Sequence, residues 1–405
     1  MIIGKLRIIL EYLLIFCIII EFYTPYTVLS SILRTIQFLP IFILLILIFI
    51  SRYSINHKEN LYILIYLIGA VFPLLSLPSS AYQGFILRYV LLLPLLWIYI
   101  MLRKRFNYYA YLSIFLKYSN TVTLIAFISI IMWLLCSVLQ IIPPTAIIPF
   151  EWGDRTTVPT YLGIYFETQS TSVFGLPSWR NSGIFNEAPM YNMILCAALS
   201  IECFMRPKPS TTRMWILILT ILTTQTTTGQ LFLILLAGWY IYKKVNKRHR
   251  ILLVILTPLL FISGYFITDS IIDNKIKEGG DTSVNDRTED IMICLEVGME
   301  HPCFGIGLVT SKENKLLWHG KDFGFSNSLF AVFARGGLYG LALYIVALIL
   351  VPYCYYKKYK DYRWFFTMFC FFVIFSFTNS YAKYLTFLFL AWGLSNINLK
   401  KGKII

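Results

Sequence analysis

Two stretches of this chain hold most of the residue types that do chemistry: Trp179-Arg180-Asn181-Ser182-Gly183-Ile184-Phe185-Asn186-Glu187-Ala188-Pro189, and the segment from Asn285-Asp286-Arg287 to Asn327. Arg180 and Arg287 carry planar guanidinium groups that match phosphate oxygens bidentately. Arg180, next to Trp179, reads as an anion binder. Glu187 has two readings: a proton acceptor, or part of a helix start in which Asn186 is the cap and Pro189 suits the first turn. Arg287 is expected in the first turn of an amphipathic helix, where the macrodipole disfavours a cation by about 0.3–1 kcal/mol. A bound anion explains that placement, and a salt bridge to Asp286 or Asp290 is the alternative. His301 and His319 are two of the four histidines. A histidine near an acceptor hydroxyl can act as general base at neutral pH, although a lone loop histidine is more often only solvated.

Asn327 leads through Ser328-Leu329 into Ala334-Arg335-Gly336-Gly337-Leu338-Tyr339-Gly340. An asparagine at a helix entrance is usually a cap, and glycines so spaced allow a close helix crossing. Arg335 and Arg88 fall inside apolar segments, where an unpaired charge at the helix centre costs about 2.5–3.5 kcal/mol. Each either binds substrate or pairs with Glu11, Glu21 or Glu202. Gly305-Ile306-Gly307 lacks the third glycine of a dinucleotide fingerprint and follows no strand, so it is a turn. The chain has no Walker loop, Asp-x-Asp pair, nucleophile elbow or Cys/His ligand spacing, and no metal or cofactor is expected.

The elements that hold these residues are set by composition. Of 405 residues 58% are hydrophobic and 14% charged, with mean hydropathy +0.70. A soluble domain carries roughly 25% charge. An all-α polytopic membrane protein is therefore expected, each span needing about 20 apolar residues. Twelve candidate spans lie near 6–24, 35–51, 61–79, 84–102, 120–142, 188–205, 213–227, 228–242, 251–268, 329–353, 364–379 and 383–397, with the seventh and eighth meeting at the Thr226-Thr227-Thr228-Gly229 hairpin. Starting with the N-terminus inside, most of the 35 basic residues fall in cytoplasmic segments, with Glu59 and Asp361 the acids beside them. This obeys the positive-inside rule and puts both termini in the cytoplasm. The net charge of +15 is thus a topology signal, and nucleic acid is not an expected partner.

The first span lacks a small-x-small cleavage site and is expected to be retained. Phe106 to Lys117, with Tyr108, Tyr109 and Tyr111, is expected along the cytoplasmic interface. Residues 1–405 read as one membrane domain with two large extracytoplasmic loops, 143–187 and 269–327. In the first, Pro143, Pro144, Pro149, Pro159 and Pro177 are expected to break regular structure, and Trp152 and Trp179 offer ring faces. In the second, Ile291, Cys294, Leu295, Gly298 and Met299 follow helical spacing, with Asn285 or Asp286 as cap and Pro302 with Gly305 as stop. Cys294 and Cys303 share that loop and can form a disulfide if the face is oxidising.

In this order the features resemble the bacterial O-antigen polymerase and O-antigen ligase superfamily. The matching pieces are Arg180-x-x-Gly183-x-Phe185-x-Glu187-x-Pro189, the Thr226–Gly229 hairpin, Arg287 heading a helix, His301-Pro302-x-Phe304-Gly305-x-Gly307, and Asn327 followed by Gly337-x-x-Gly340. The topology resembles that superfamily over the whole chain, the motifs over its second half. The resemblance implies metal-independent transfer between glycans carried on undecaprenyl pyrophosphate, at the outer face of the bacterial inner membrane. Arg180 and Arg287 would hold the pyrophosphate and stabilise charge developing on it. Glu187 or His319 would take the acceptor proton. Arg88, His301, Asn327 and Arg335 would bind substrate, and Trp152 and Trp179 would stack on sugars. Implied partners are the lipid-linked glycans, the bilayer, a chain-length regulator and a flippase. Ligases of the superfamily carry a His-Asn pair where this chain has Ser326-Asn327, which favours a polymerase of O-antigen or capsule. A ligase is the alternative, and a lipid-linked oligosaccharide flippase or other transporter is the rival from another class. A transporter should place its polar groups at the midplane on paired halves.

Overall fold

In hydrocarbon every backbone polar group must be bonded within the protein, so apolar stretches wind into helices. The computed structural model describes residues 2–26, 36–51, 57–106, 108–152, 155–173, 176–244, 282–308, 327–378 and 380–397. Among them, five helices are long and apolar enough to cross a membrane: His57–Ser76, Ser79–Phe106, Ala110–Val138, Ala188–Met205 and Ser328–Tyr359. Shorter apolar helices occupy Leu39–Ile50, Thr211–Thr223, Tyr362–Ser376 and Tyr384–Leu394. Helices Ile2–Ile20 and Thr227–Lys244 complete the set of expected segments that are described, and 251–268 lies outside the described residues. This is a multi-pass membrane protein with fewer full-length spans among the described residues than the twelve expected. Polar residues cut several apolar runs short: Thr224–Thr226 ends one helix, and Lys383 and Ser395 bracket another.

Burial sorts the helices by layer. His57–Ser76 exposes Leu64, Ile65, Ile68, Phe72 and Leu75, the face expected against lipid. Ala188–Ser200 and Tyr384–Leu394 are buried almost all round, which marks them as the centre of the bundle. The Phe106–Lys117 expectation is corrected. Tyr108–Met132 is one helix, continued by a π-helical stretch over Trp133–Val138. Phe115 stacks on Trp392 with ring centroids 3.8 Å apart, and Tyr118 donates to the Ile194 carbonyl at 3.1 Å. Tyr111, Phe115 and Tyr118 thus bind helices to one another, Phe106 is exposed, and the side chains of Tyr108 and Tyr109 lie outside the described residues.

The all-α expectation is also corrected, because the first loop is largely β structure. Strands β1 (Ala146–Trp152), β2 (Arg155–Tyr161) and β3 (Tyr165–Phe166) form an antiparallel sheet in that order, and β4 (Ser170–Val173) pairs with β5 (Leu176–Trp179) as a hairpin. The β-branched residues Ile147, Ile148, Thr156, Thr157, Val158 and Thr160 favour this. The prolines are tolerated because Pro149 borders a register shift and Pro177 lies in a two-stranded hairpin, where both strands are edges. Trp133 Nε1 donates to the Trp179 carbonyl at 2.8 Å, and Ser137 Oγ donates to Glu167 Oε1 at 2.7 Å, so the strands are fastened to the top of a helix. Burial first, and Glu167 after it, holds the Tyr161 phenol above the usual tyrosine range, so it stays a hydrogen-bond donor.

Away from the strands lie carboxylates shared between helices. Glu11 accepts from Tyr99 and Lys117 and pairs with Arg103 at 3.3 Å. Glu202, fully buried, accepts from Arg206, from Arg213 Nε at 3.1 Å and from the Ser210 N–H at 2.8 Å. These two of the three acids proposed as partners for Arg88 and Arg335 are thus engaged with other cations.

The glycine-rich segment after Arg335 is not a simple helix crossing. Ser328–Ile345 is broken at Gly337, which has φ 58° and ψ −158°. The segment following helix Thr282–Glu300 fills the break. Ile306 and Gly307 N–H groups donate to the Ala334 and Arg335 carbonyls at 3.1 and 2.8 Å; Leu338 and Tyr339 N–H groups donate to the Pro302 and Cys303 carbonyls at 2.7 and 3.1 Å. Backbone groups released by the break are re-satisfied by the turn that the sequence places at Gly305-Ile306-Gly307.

Candidate functional site

Arg180 is held by its own fold. Its Nε donates to the Thr224 carbonyl at 3.0 Å and its Nη2 to the Gln225 carbonyl at 3.2 Å, where helix Thr211–Thr223 ends. A cation is favoured there, because helix C-terminal carbonyls are electronegative. Asn181 reinforces the join: its N–H bonds the Thr223 carbonyl and its Nδ2 bonds Thr223 Oγ1, both at 3.0 Å. On the far side of the turn Asn192 Nδ2 donates to Thr228 Oγ1 at 3.2 Å, and a Cβ on Gly229 would collide with Asn192 Oδ1. The Arg180–Pro189 motif and the hairpin are therefore one structural unit.

Glu187 is the N-cap of helix Ala188–Ser200, with φ −145° and no side-chain cap bond. The expected Asn186 cap is corrected: Gln169 Oε1, from the β region, accepts from the Ala188 N–H at 3.0 Å. Asn327 is a cap, its Oδ1 accepting from the Leu329 and Phe330 N–H groups at 3.0 and 3.2 Å. His301 is exposed, and its carbonyl accepts from the Gly305 N–H at 3.0 Å. Trp179 is half-buried and holds Trp133 through its carbonyl.

The helix carrying Arg287 begins at Thr282, so Asn285 and Asp286 lie within it and do not cap it. Arg287 is in its second turn, where the dipole penalty has largely fallen away. The side chains of Arg287 and Trp152, and the whole of His319, lie outside the described residues. Cys294 and Cys303 are not bonded: Cys294 is buried and Cys303 exposed. Burial, and then Asp290, push the Cys294 thiol up to about 12. Maleimide treatment of the detergent-solubilised chain at about pH 7.5, below the usual thiol pKa, is expected to modify Cys303 and spare Cys294, read by peptide mass spectrometry. Equal modification of both would contradict this burial.

The structure does bring Arg88 and Arg335 together around Tyr381 and Ala382, beside a lysine, Lys383, that the sequence does not single out. Arg88 lies in the π-helical stretch Ile86–Leu92 and its Nε donates to the Ala382 carbonyl at 2.9 Å. The Arg335 guanidinium lies over the Tyr381 ring, 5.3 Å from its centroid. Lys383 Nζ lies 3.4 Å from the centroid of the Tyr23 ring and donates to the Glu21 carbonyl at 3.0 Å. Glu21 Oε1 stands 3.9 Å from Arg88 and 3.7 Å from Lys383, while Glu21 Oε2 accepts from the Tyr384 N–H at 3.1 Å. The available signal was Lys383 itself, a lysine at the mouth of an otherwise apolar run.

The Asn186 N–H donates to the Tyr23 carbonyl at 2.8 Å. The Arg180–Pro189 motif thus runs from the hairpin to the edge of the cation cluster. Chemically, this end of the bundle offers cations held in fixed positions and a carboxylate, Glu187, at a helix N-terminus.

Residues 213–345, about a third of the chain, match the family model described as O-antigen ligase. The match spans the hairpin helices, helix Thr282–Glu300 and the broken helix, and is consistent with a member of the O-antigen polymerase and ligase superfamily. No curated protein and no solved structure matches.

Proposed function

We propose that this protein polymerises oligosaccharide repeat units carried on undecaprenyl pyrophosphate, transferring the growing glycan at the outer face of the bacterial inner membrane to make O-antigen or capsule. The observation that supports membership of the polymerase and ligase superfamily is the family match over 213–345, a region that contains Arg287, His301, His319, Asn327 and Arg335, and Ser326-Asn327 in place of a His-Asn pair tilts the reading to polymerase. The bonds from Arg180 to Thr224 and Gln225 support it by tying the preceding motif to that region. In this reading Arg180 and Arg287 stabilise charge developing on the departing diphosphate. Glu187 or His319 accepts the proton of the attacking sugar hydroxyl, and the β region with Trp152 and Trp179 receives the acceptor glycan. His301 and Asn327 contribute substrate contacts. A chain-length regulator and a flippase are the proposed partners.

A ligase is the second reading, favoured by the description of the matched family. Deleting the gene separates the two by gel analysis of surface polysaccharide. A polymerase deletion is expected to leave core capped by a single unit or no polymer, whereas a ligase deletion accumulates polymer on the lipid carrier. An unchanged ladder would defeat both. Complementation with Arg180→Ala at wild-type membrane abundance is expected to restore no long chains.

A further inference from the structure

We infer that the exposed apolar rim of the β region, formed by Ile147 on β1 and by Leu162 and Ile164 at the β2–β3 turn, is a membrane-docking surface that rests in the lipid leaflet beside the end of helix Ala110–Val138. The partner is phospholipid, whichever reaction the chain performs.

No charged residue stands between Lys117 and Glu151, nor between Arg155 and Glu167. The helix ends at Val138, where Gln140 takes φ +53° and turns the chain. The uncharged run nevertheless continues through β1 as far as Phe150. A sheet with one face in water ordinarily alternates apolar and polar residues, yet the face opposite the core of this one presents Ile147, Pro149 and Pro159.

Packing shows which way that face looks. Ile147 pairs with Pro159, so their side chains share one face, and Tyr161 lies two residues further along the same strand. Tyr161 packs against Met132 and Cys136, near the end of the helix. The other face holds Phe150, Val158 and Phe166 in a core of its own. The face of Ile147 is therefore turned toward the helix end, and Ile147 itself remains 70% exposed. Along the helix Phe127, Ile131, Leu134 and Val138 recur at helical spacing and are exposed, as a lipid-facing strip should be. Leu139 and Ile141, also exposed, carry the strip onward to the strands. The patch on the sheet is thus continuous with a surface that lipid covers.

Leu162 points the same way independently. Leu162 and Gly163 have φ +53° and +69°, and the Ile164 N–H donates to the Tyr161 carbonyl at 3.1 Å. This is a tight turn, left-handed at both central positions, where Gly, Asn and Asp are the favoured residues. A leucine there is strained, and it is 67% exposed, so neither backbone preference nor packing within the described chain accounts for it. Lipid does, because an apolar side chain at a turn tip gains by leaving water. Thr145 Oγ1 accepts from the Leu162 N–H at 2.9 Å, which fixes the tip beside the start of β1. Leu162 and Ile147 therefore enter together.

Depth and partner follow from the same residues. A strand edge cannot enter hydrocarbon, where each free backbone group is costly, so the sheet stands at headgroup level and only side chains reach the acyl boundary. Pro149 on the edge strand β1, and Pro143 and Pro144 before it, present no N–H there. A glycan, rich in hydroxyls, finds no hydrogen-bonding side chain among Ile147, Leu162 and Ile164. A second copy of the chain is the other apolar occupant, and the experiment separates it from lipid.

The full chain carrying photoreactive benzoylphenylalanine at position 147, 164 or 170 is irradiated in nanodiscs of phosphatidylethanolamine and phosphatidylglycerol, and adducts are read by peptide mass spectrometry. Ser170, exposed and polar in the β4–β5 hairpin, is the reference. Phospholipid adducts at 147 and 164 are expected to exceed those at 170 by about tenfold, the factor that corresponds to burying one aliphatic side chain. Leu162→Asn, which suits the turn, is expected to lower the adducts at both positions roughly threefold or more. Lipid adducts at 147 and 164 no greater than at 170 would overturn the docking surface, and so would adducts to a second copy in their place; these positions decide the matter even if Leu162→Asn does not fold. Adducts unmoved by folded Leu162→Asn would overturn the part given to the leucine tip. The readout is lipid contact and not polymer, so it stands or falls apart from the proposed function.

Discussion

Gly337→Ala is expected to abolish polysaccharide chains and to lower the thermal stability of the purified protein sharply. Its φ of 58° with ψ −158° is a conformation essentially confined to glycine, and holding another residue there costs about 1–3 kcal/mol. An added Cβ would also lie 2.5 Å from the Cys303 carbonyl carbon and the Phe304 nitrogen. Backbone cannot move aside as a flexible side chain can, so overpacking adds about 1–3 kcal/mol. Gly336→Ala is the matched control, since nothing lies within 4 Å of its added Cβ. Its effect on melting in detergent should stay within about 0.5 kcal/mol plus the helix-propensity difference. Equal melting of the two variants would refute the account of the break.

Glu202→Ala is expected to produce the other large loss, in stability instead of chemistry. The carboxylate is fully buried and gathers Arg206, Arg213 and the Ser210 N–H. Removing one partner of a buried ionic group leaves charge uncompensated and costs about 3–5 kcal/mol. Glu202→Gln keeps the acceptor oxygen and should lose less. The check is the melting midpoint of both variants by size-exclusion chromatography after heating; a Glu202→Ala midpoint equal to wild type would show that the cluster does not hold these helices together.

Much of the helical layout was legible in the sequence because hydrocarbon solvent leaves few alternatives. The hairpin at Thr226–Gly229 and the turn at Gly305–Gly307 were readable from local residue chemistry. What escaped depended on distant partners. Val158 and its β-branched neighbours favour strands, but the prolines around them masked that preference until pairing with Ile148 is seen. Tyr111, Phe115 and Tyr118 have the composition of an interface belt, and only the positions of Trp392 and Ile194 show that they are packed inward. At the candidate site, Arg88 and Arg335 stood out as charges in apolar runs. Lys383 did not, since a lysine at the end of a span ordinarily snorkels to the interface. Its place over Tyr23 follows from a contact between residues at opposite ends of the chain.

The central helix Tyr384–Leu394 has eleven residues. At 1.5 Å per residue it rises about 16 Å, roughly half the thickness of a hydrocarbon core. A helix of that rise cannot have both ends at a surface, so the protein must satisfy polar groups at an end itself; at the N-terminal end Glu21 Oε2 accepts from the Tyr384 N–H and the Tyr23 ring covers Lys383.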